Sequence, residues 1–164
     1  QDSEEIVWHS LKLTNTTGRP WTTAPAVTMK NGRILGQDTL HFTPDRGTSD
    51  LRITRAVSVQ AEQTENEVDR QRNAATFYRR SYDLVVLQGE LAVTNYKDKP
   101  IQLEITKTIS GEVQEVDGDF EITKLAQGLQ SVNPQSQIKW NVEVKPGKEN
   151  AVKLTYKYQF YFGS

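Results

Sequence analysis

The feature that most limits what this chain can become is a two-residue rhythm, strongest over residues 82–109. Ile101, Leu103, Ile105 and Ile109 share one parity, while Gln102, Glu104, Thr106 and Thr108 share the other. Alternate side chains of an extended strand point to opposite faces, so this segment reads as a strand with one dry and one wet side. Residues 84–95 form its predicted partner, and Tyr96-Lys97-Asp98-Lys99-Pro100 supplies the turn between them. Antiparallel strands with one buried face are built this way, and such a pair seeds a layered sheet structure.

The same rhythm recurs elsewhere. In 137–145, Ile138, Trp140, Val142 and Val144 alternate with polar residues, and in 151–162 Val152, Leu154, Tyr156, Tyr158, Phe160 and Phe162 do so. Leu51, Ile53, Val57, Val59 and Ala61 are all odd-numbered, giving one strand or two with a break near Arg55-Ala56. Asn31-Gly32 is a strong two-residue hairpin signal, because both turn positions need positive φ, and it joins predicted strands over 24–30 and 33–42. Residues 6–14 are a first strand whose apolar parity breaks near His9-Ser10, the mark of a bulge. Further turns are expected at 15–20, 44–47, 117–119, 133–136 and 146–148. Residues 1–5 are expected to fray, 62–80 to continue as strand to about Val68 and then loop, and 126–131 to be a loop.

About ten short strands with no long helix predict an all-β fold. The expected form is an antiparallel, Ig-like β-sandwich in two lobes, 1–76 and 77–164, with one extended sheet system shared between them as the alternative arrangement. An apolar fraction of only 35% fits sheets that bury a single face.

Charge and composition exclude several functions. Twenty basic residues against 21 acidic ones leave a net charge of -1, without the basic excess a nucleic-acid-binding domain uses to neutralise phosphates. There is no cysteine, hence no disulfide framework, thiolate nucleophile or cysteine metal site. No run of about 18 apolar residues is present to span a membrane as a helix. The chain begins at Gln1 and is read as a mature or truncated piece of a longer protein.

Candidate chemistry is sparse. His9 and His41 lie on separate strands without metal-ligand spacing. Glu115, Asp117, Asp119 and Glu121 surround Gly118 and would suit a hard cation, but lack the ligand order of a calcium loop. Arg70, Arg72, Arg79 and Arg80 mix with Phe77 and Tyr78, while Glu62, Glu65, Glu67 and Asp69 offset their charge. Asn15-Thr16-Thr17 matches a glycosylation acceptor, although turn chemistry alone explains it. No serine elbow, phosphate loop or HExxH occurs. No catalytic residue, metal or cofactor is therefore expected. The residues expected to contact a ligand or partner are Trp21, Tyr78, Arg79 and Tyr96, aromatic or basic groups placed at turns.

Two segments together carry a family resemblance. The first is Leu11-Lys12-Leu13-Thr14-Asn15-Thr16-Thr17-Gly18-Arg19-Pro20-Trp21. The second is Asn133-Pro134-Gln135-Ser136-Gln137-Ile138-Lys139-Trp140, followed by Pro146-Gly147-Lys148 and Leu154-Thr155-Tyr156. An asparagine turn and tryptophan, then a tryptophan strand, a Pro-Gly turn and a tyrosine-rich closing strand resemble the C-terminal β region of the mucoidy-inhibitor-like bacterial proteins, a group of uncharacterised domains. The pattern spans most of the chain and departs from the family at Thr22-Thr23-Ala24-Pro25-Ala26. The resemblance implies a bacterial exported or envelope setting and brings no catalytic residue. The expected function is that of a non-catalytic interaction module within a larger exported protein. Its partners would be other domains of the parent chain or envelope proteins. The alternative is a carbohydrate-binding module that stacks polysaccharide on exposed aromatics.

Overall fold

The computed structural model describes residues 2–125 and 131–163, so most of the loop expected at 126–131 lies outside the described residues. In chain order the strands are β1 (Asp2–Glu5), β2 (Trp8–Thr14), β3 (Ala24–Lys30), β4 (Arg33–Leu40), β5 (Thr48–Arg55), β6 (Val59–Phe77), β7 (Arg80–Asn95), β8 (Ile101–Ser110), β9 (Glu112–Val116), β10 (Phe120–Leu125), β11 (Gln135–Val144) and β12 (Val152–Gly163). A single 3₁₀ turn at Lys148–Asn150 is the one helical element among the described residues. The fold is all-β and every strand pair is antiparallel.

The strands fall into two compact units, one of Gln1–Glu5 with Ser58–Ser164 and the other of Ile6–Val57. Each sheet lies within one unit, so no sheet is shared between them. The division expected near Thr76 instead falls at the closed end of the β6–β7 hairpin, where Phe77 pairs with Arg80. Two other expectations are also corrected. Residues 2–5 pair with β6 rather than fraying. Residues 69–77 are strand, not loop, because β7 offers an unbroken hydrogen-bonding edge that β6 follows through bulges at Glu67/Asp69 and Gln71/Ala75.

In the larger unit a five-stranded sheet, ordered β1-β6-β7-β12-β9, and a three-stranded sheet, ordered β10-β11-β8, contribute to one core. Leu91, Leu154, Tyr156 and Tyr158 come from the first, and Ile109, Ile138 and Trp140 from the second. Trp140 is completely buried and its indole N–H donates to the Asp117 carbonyl at 2.9 Å, so its one polar atom is satisfied. Tyr156 crosses the sheet above Gly89, where an added Cβ would collide with the phenol ring.

The smaller unit has two two-stranded sheets, β2–β5 and β3–β4. Asn31 and Gly32 both hold positive φ, as the hairpin signal required, and β2 pairs with β5 through a register shift at His9/Ser10, the expected bulge. Gly36 lets β4 approach β5 closely, since a Cβ there would strike the Ile53 backbone.

Candidate functional site

Trp21 lies in the smaller unit, and Tyr78, Arg79 and Tyr96, in the larger one, do not all converge. Trp21 is half-buried and exchanges backbone hydrogen bonds with Thr43 in both directions, at 2.9 and 3.1 Å, which makes it part of a turn closure. Tyr78 and Arg79 form the two-residue tip of the β6–β7 hairpin, whereas Tyr96 follows the opposite end of β7. The sixteen residues of β7 separate the tip from Tyr96, roughly 50 Å at the usual rise of a strand. Tyr96 donates through its hydroxyl to Gln60 at 3.3 Å.

The tip has unusual backbone geometry. Tyr78 has φ 50° and Arg79 has φ 64°, so both adopt the left-handed conformation. Bulky residues with a Cβ pay about 1–2 kcal/mol each for that conformation. At 31–32 the same chain makes the same kind of turn with Asn-Gly, the low-strain solution. Tyr78 is 72% exposed, and Arg79 and Arg80 are exposed beside it.

Behind the tip, Phe77 packs edge-on against Tyr82 and Tyr161, at centroid distances of 5.5 and 5.2 Å. Deeper in the arm, Arg70 makes a two-pronged contact with Glu67, both bonds at 2.8 Å, and reaches Asp83 at 3.2 Å. Its guanidinium also lies 5.8 Å from the centre of the Phe162 ring. Asp83 accepts the Asn73 amide at 3.0 Å, pinning the bulge. That amide, aided by Arg70, holds the Asp83 carboxyl below its ordinary value, and Arg70 does the same for Glu67.

Glu65 accepts the Tyr156 hydroxyl at 2.5 Å and pairs with Lys107 at 3.2 Å. Burial, reinforced by Glu65, raises the Tyr156 phenol pKa, and burial pushes Tyr158 up to about 12. Both phenols are therefore neutral at physiological pH, and that of Tyr156 donates to Glu65. The acidic run contributes Glu115 and Asp117 to a cleft also lined by Gln88, Val116, Thr155, Tyr156 and Lys157. Its volume, about 200 Å³, is below the roughly 300 Å³ at which small-molecule pockets begin. Among the described residues no three His, Asp or Glu side chains come together as a metal site, and both histidines are exposed.

Two features escaped the sequence reading. Trp8 lies on the β2–β5 pair with the guanidinium carbons of Arg52 and Arg55 at 5.3 and 5.8 Å from its ring centre. The second is a repeated clamp. Asn15 and Asn95 are both fully buried. Asn15 Oδ1 accepts the Thr17 amide and its Nδ2 donates to the carbonyls of Arg19, Thr43 and Pro44. Asn95 Oδ1 accepts the Lys97 amide and its Nδ2 donates to the carbonyls of Lys99 and Val144. The residue after each turn pairs with a residue whose carbonyl the clamp holds, Trp21 opposite Thr43 and Ile101 opposite Val144. The available signal was Thr14-Asn15 with Arg19-Pro20 set against Thr94-Asn95 with Lys99-Pro100, an identical spacing in two distant turns.

No family model matches the chain, and no curated protein or solved structure was found to match it.

Proposed function

We propose that this chain is a non-catalytic interaction module of a larger exported, envelope-associated bacterial protein, and that it engages a partner protein through the tip of the β6–β7 hairpin. The observation that carries this reading is the pair Tyr78-Arg79, held at positive φ where the β3–β4 hairpin uses Asn-Gly. Strain retained at an exposed tip costs stability, and such outliers concentrate where a surface has a task. An exposed tyrosine beside arginine also matches the residue types that dominate interface energetics. The mixed charge of the arm, with Glu67, Arg70 and Asp83 paired internally, leaves Arg79 and Arg80 as the cations presented at the end. The carbohydrate alternative draws less support, because Tyr78 and Tyr96 lie at opposite ends of β7 and form no common platform.

Photo-crosslinking tests the proposal. A benzoylphenylalanine at position 78 in the full parent protein, produced in its own envelope, is expected to trap a discrete partner. The same side chain at exposed Thr123 is expected not to. Equal trapping from both positions, or none from position 78, refutes it.

A further inference from the structure

The smaller unit differs in charge from the chain as a whole. Residues 6–57 hold seven lysines and arginines against three acids, an excess of four positive charges in a chain whose net charge is -1. Two of these cations flank the Asn31-Gly32 turn. Lys30 and Arg33 stand directly opposite one another in the β3–β4 register, and both are exposed. Like charges opposite one another across a strand pair are destabilising. Among the described residues neither of them has an ion pair. The one acid within residues 24–40, Asp38, is engaged elsewhere: its carboxylate accepts the Thr39 and Arg52 amides, each at 2.8 Å.

The same hairpin has an uncovered apolar face. Gly36 and Asp38, two residues apart, lie on the side that meets β5. The other side carries Val27, Met29 and Ile34. Val27 and Met29 share a parity on β3, and Met29 pairs with Ile34, so the three adjoin. They are 51%, 59% and 70% exposed. We propose that this hairpin docks on a lipid bilayer with anionic headgroups, its apolar face entering the interface and Lys30 and Arg33 held by the headgroup phosphates.

The combination selects the occupant. An interfacial segment joins an apolar face to cations that reach the headgroups, and stable attachment to a membrane takes two such signals. A single-stranded nucleic acid would satisfy the cations, but it binds by stacking bases on aromatic rings, and residues 24–40 contain none. A second copy of this chain would cover the apolar face while bringing the same two cations and no new anion on this hairpin.

The experiment uses the full chain with vesicles of phosphatidylcholine and phosphatidylglycerol at about 3:1, against vesicles of phosphatidylcholine alone. Co-sedimentation is expected with the first and not with the second. Lys30→Glu with Arg33→Glu is expected to weaken it at least about tenfold. Met29→Ser with Ile34→Ser is expected to do the same, at little risk to folding because both side chains are exposed. The chain has no cysteine, so Ile34→Cys takes an environment-sensitive dye at one position. Its emission is expected to shift to the blue on the anionic vesicles, and that of a dye at Thr123→Cys, an exposed position of the larger unit, to stay unchanged. No co-sedimentation, equal co-sedimentation with the neutral vesicles, or an unshifted dye at position 34 overturns the proposal. So does an oligonucleotide or polyglutamate bound as tightly as the vesicles, or self-association without vesicles that Met29→Ser with Ile34→Ser abolishes. This hairpin belongs to a different unit from the Tyr78-Arg79 tip, so either assignment can fail without the other.

Discussion

Replacing Asn95 by alanine tests the clamp most directly. The side chain is fully buried and makes three hydrogen bonds, to the Lys97 amide at 3.0 Å, the Lys99 carbonyl at 2.8 Å and the Val144 carbonyl at 3.0 Å. Each contributes about 1 kcal/mol net, and Val144 is itself buried, away from replacement water, so the loss is expected to be about 3 kcal/mol. For a unit of this size that corresponds to a fall in Tm of about 12 °C. Trp140 reports on this unit, so denaturation followed by its fluorescence in a Trp8→Phe, Trp21→Phe background measures the change. Asn95→Asp separates the hydrogen bonds from mere volume. A carboxylate there faces two carbonyls, so its folded pKa lies above the unfolded value of about 3.9. The sign follows: stability relative to wild type is best below that value and is lost as pH rises through the folded pKa. A shift under about 4 °C for the alanine variant, or no pH dependence for the aspartate variant, would falsify the clamp.

Other outcomes follow from the same geometry. Tyr78→Asn with Arg79→Gly is expected to raise stability by about 1–2 kcal/mol in urea titrations by relieving the left-handed strain, while abolishing crosslinking through the tip. Gly89→Ala pushes a methyl into the Tyr156 ring and is expected to cost about 3 kcal/mol by the same titration. Asp83 and Glu67 have depressed pKa values, so the stability they contribute is present above the ordinary carboxylate range and lost as pH falls through and below it. Arg70→Gln should flatten the acid limb of urea midpoints measured between neutral pH and pH 2. With Tyr158 raised to about 12, its stabilising contribution is lost as pH climbs above 10, and ultraviolet titration should show a phenol ionising near pH 12 that Tyr158→Phe removes.

Local chemistry made much of the architecture legible in advance. Period-two alternation located β8, β11 and β12, Asn31-Gly32 located the β3–β4 hairpin, and broken parity at His9-Ser10 located the bulge. Each signal is a property of a few neighbouring residues, so each survives without knowledge of the fold. The site was far less legible. Trp21 stands at a turn as expected, yet its turn closes on Thr43. Tyr78 and Arg79 sit at a tip that the expectation of a loop after Val68 had hidden, because the mixed charge of β6 conceals its strand character.

The amino-acid order alone determined that the chain forms sheets, where most turns fall, and which parity of the best strands is apolar. Tertiary structure alone decided whether that parity is covered. Trp140 is sealed by the facing sheet, while Trp8, on a strand with one neighbour, remains outside between two arginines. It also decided that two distant asparagines do the same work, and that, among the described residues, β7 has a strand on each edge where β2 has one. Side-chain periodicity is written into successive residues, but pairing order and burial depend on contacts between segments far apart in the chain, and no local pattern encodes them.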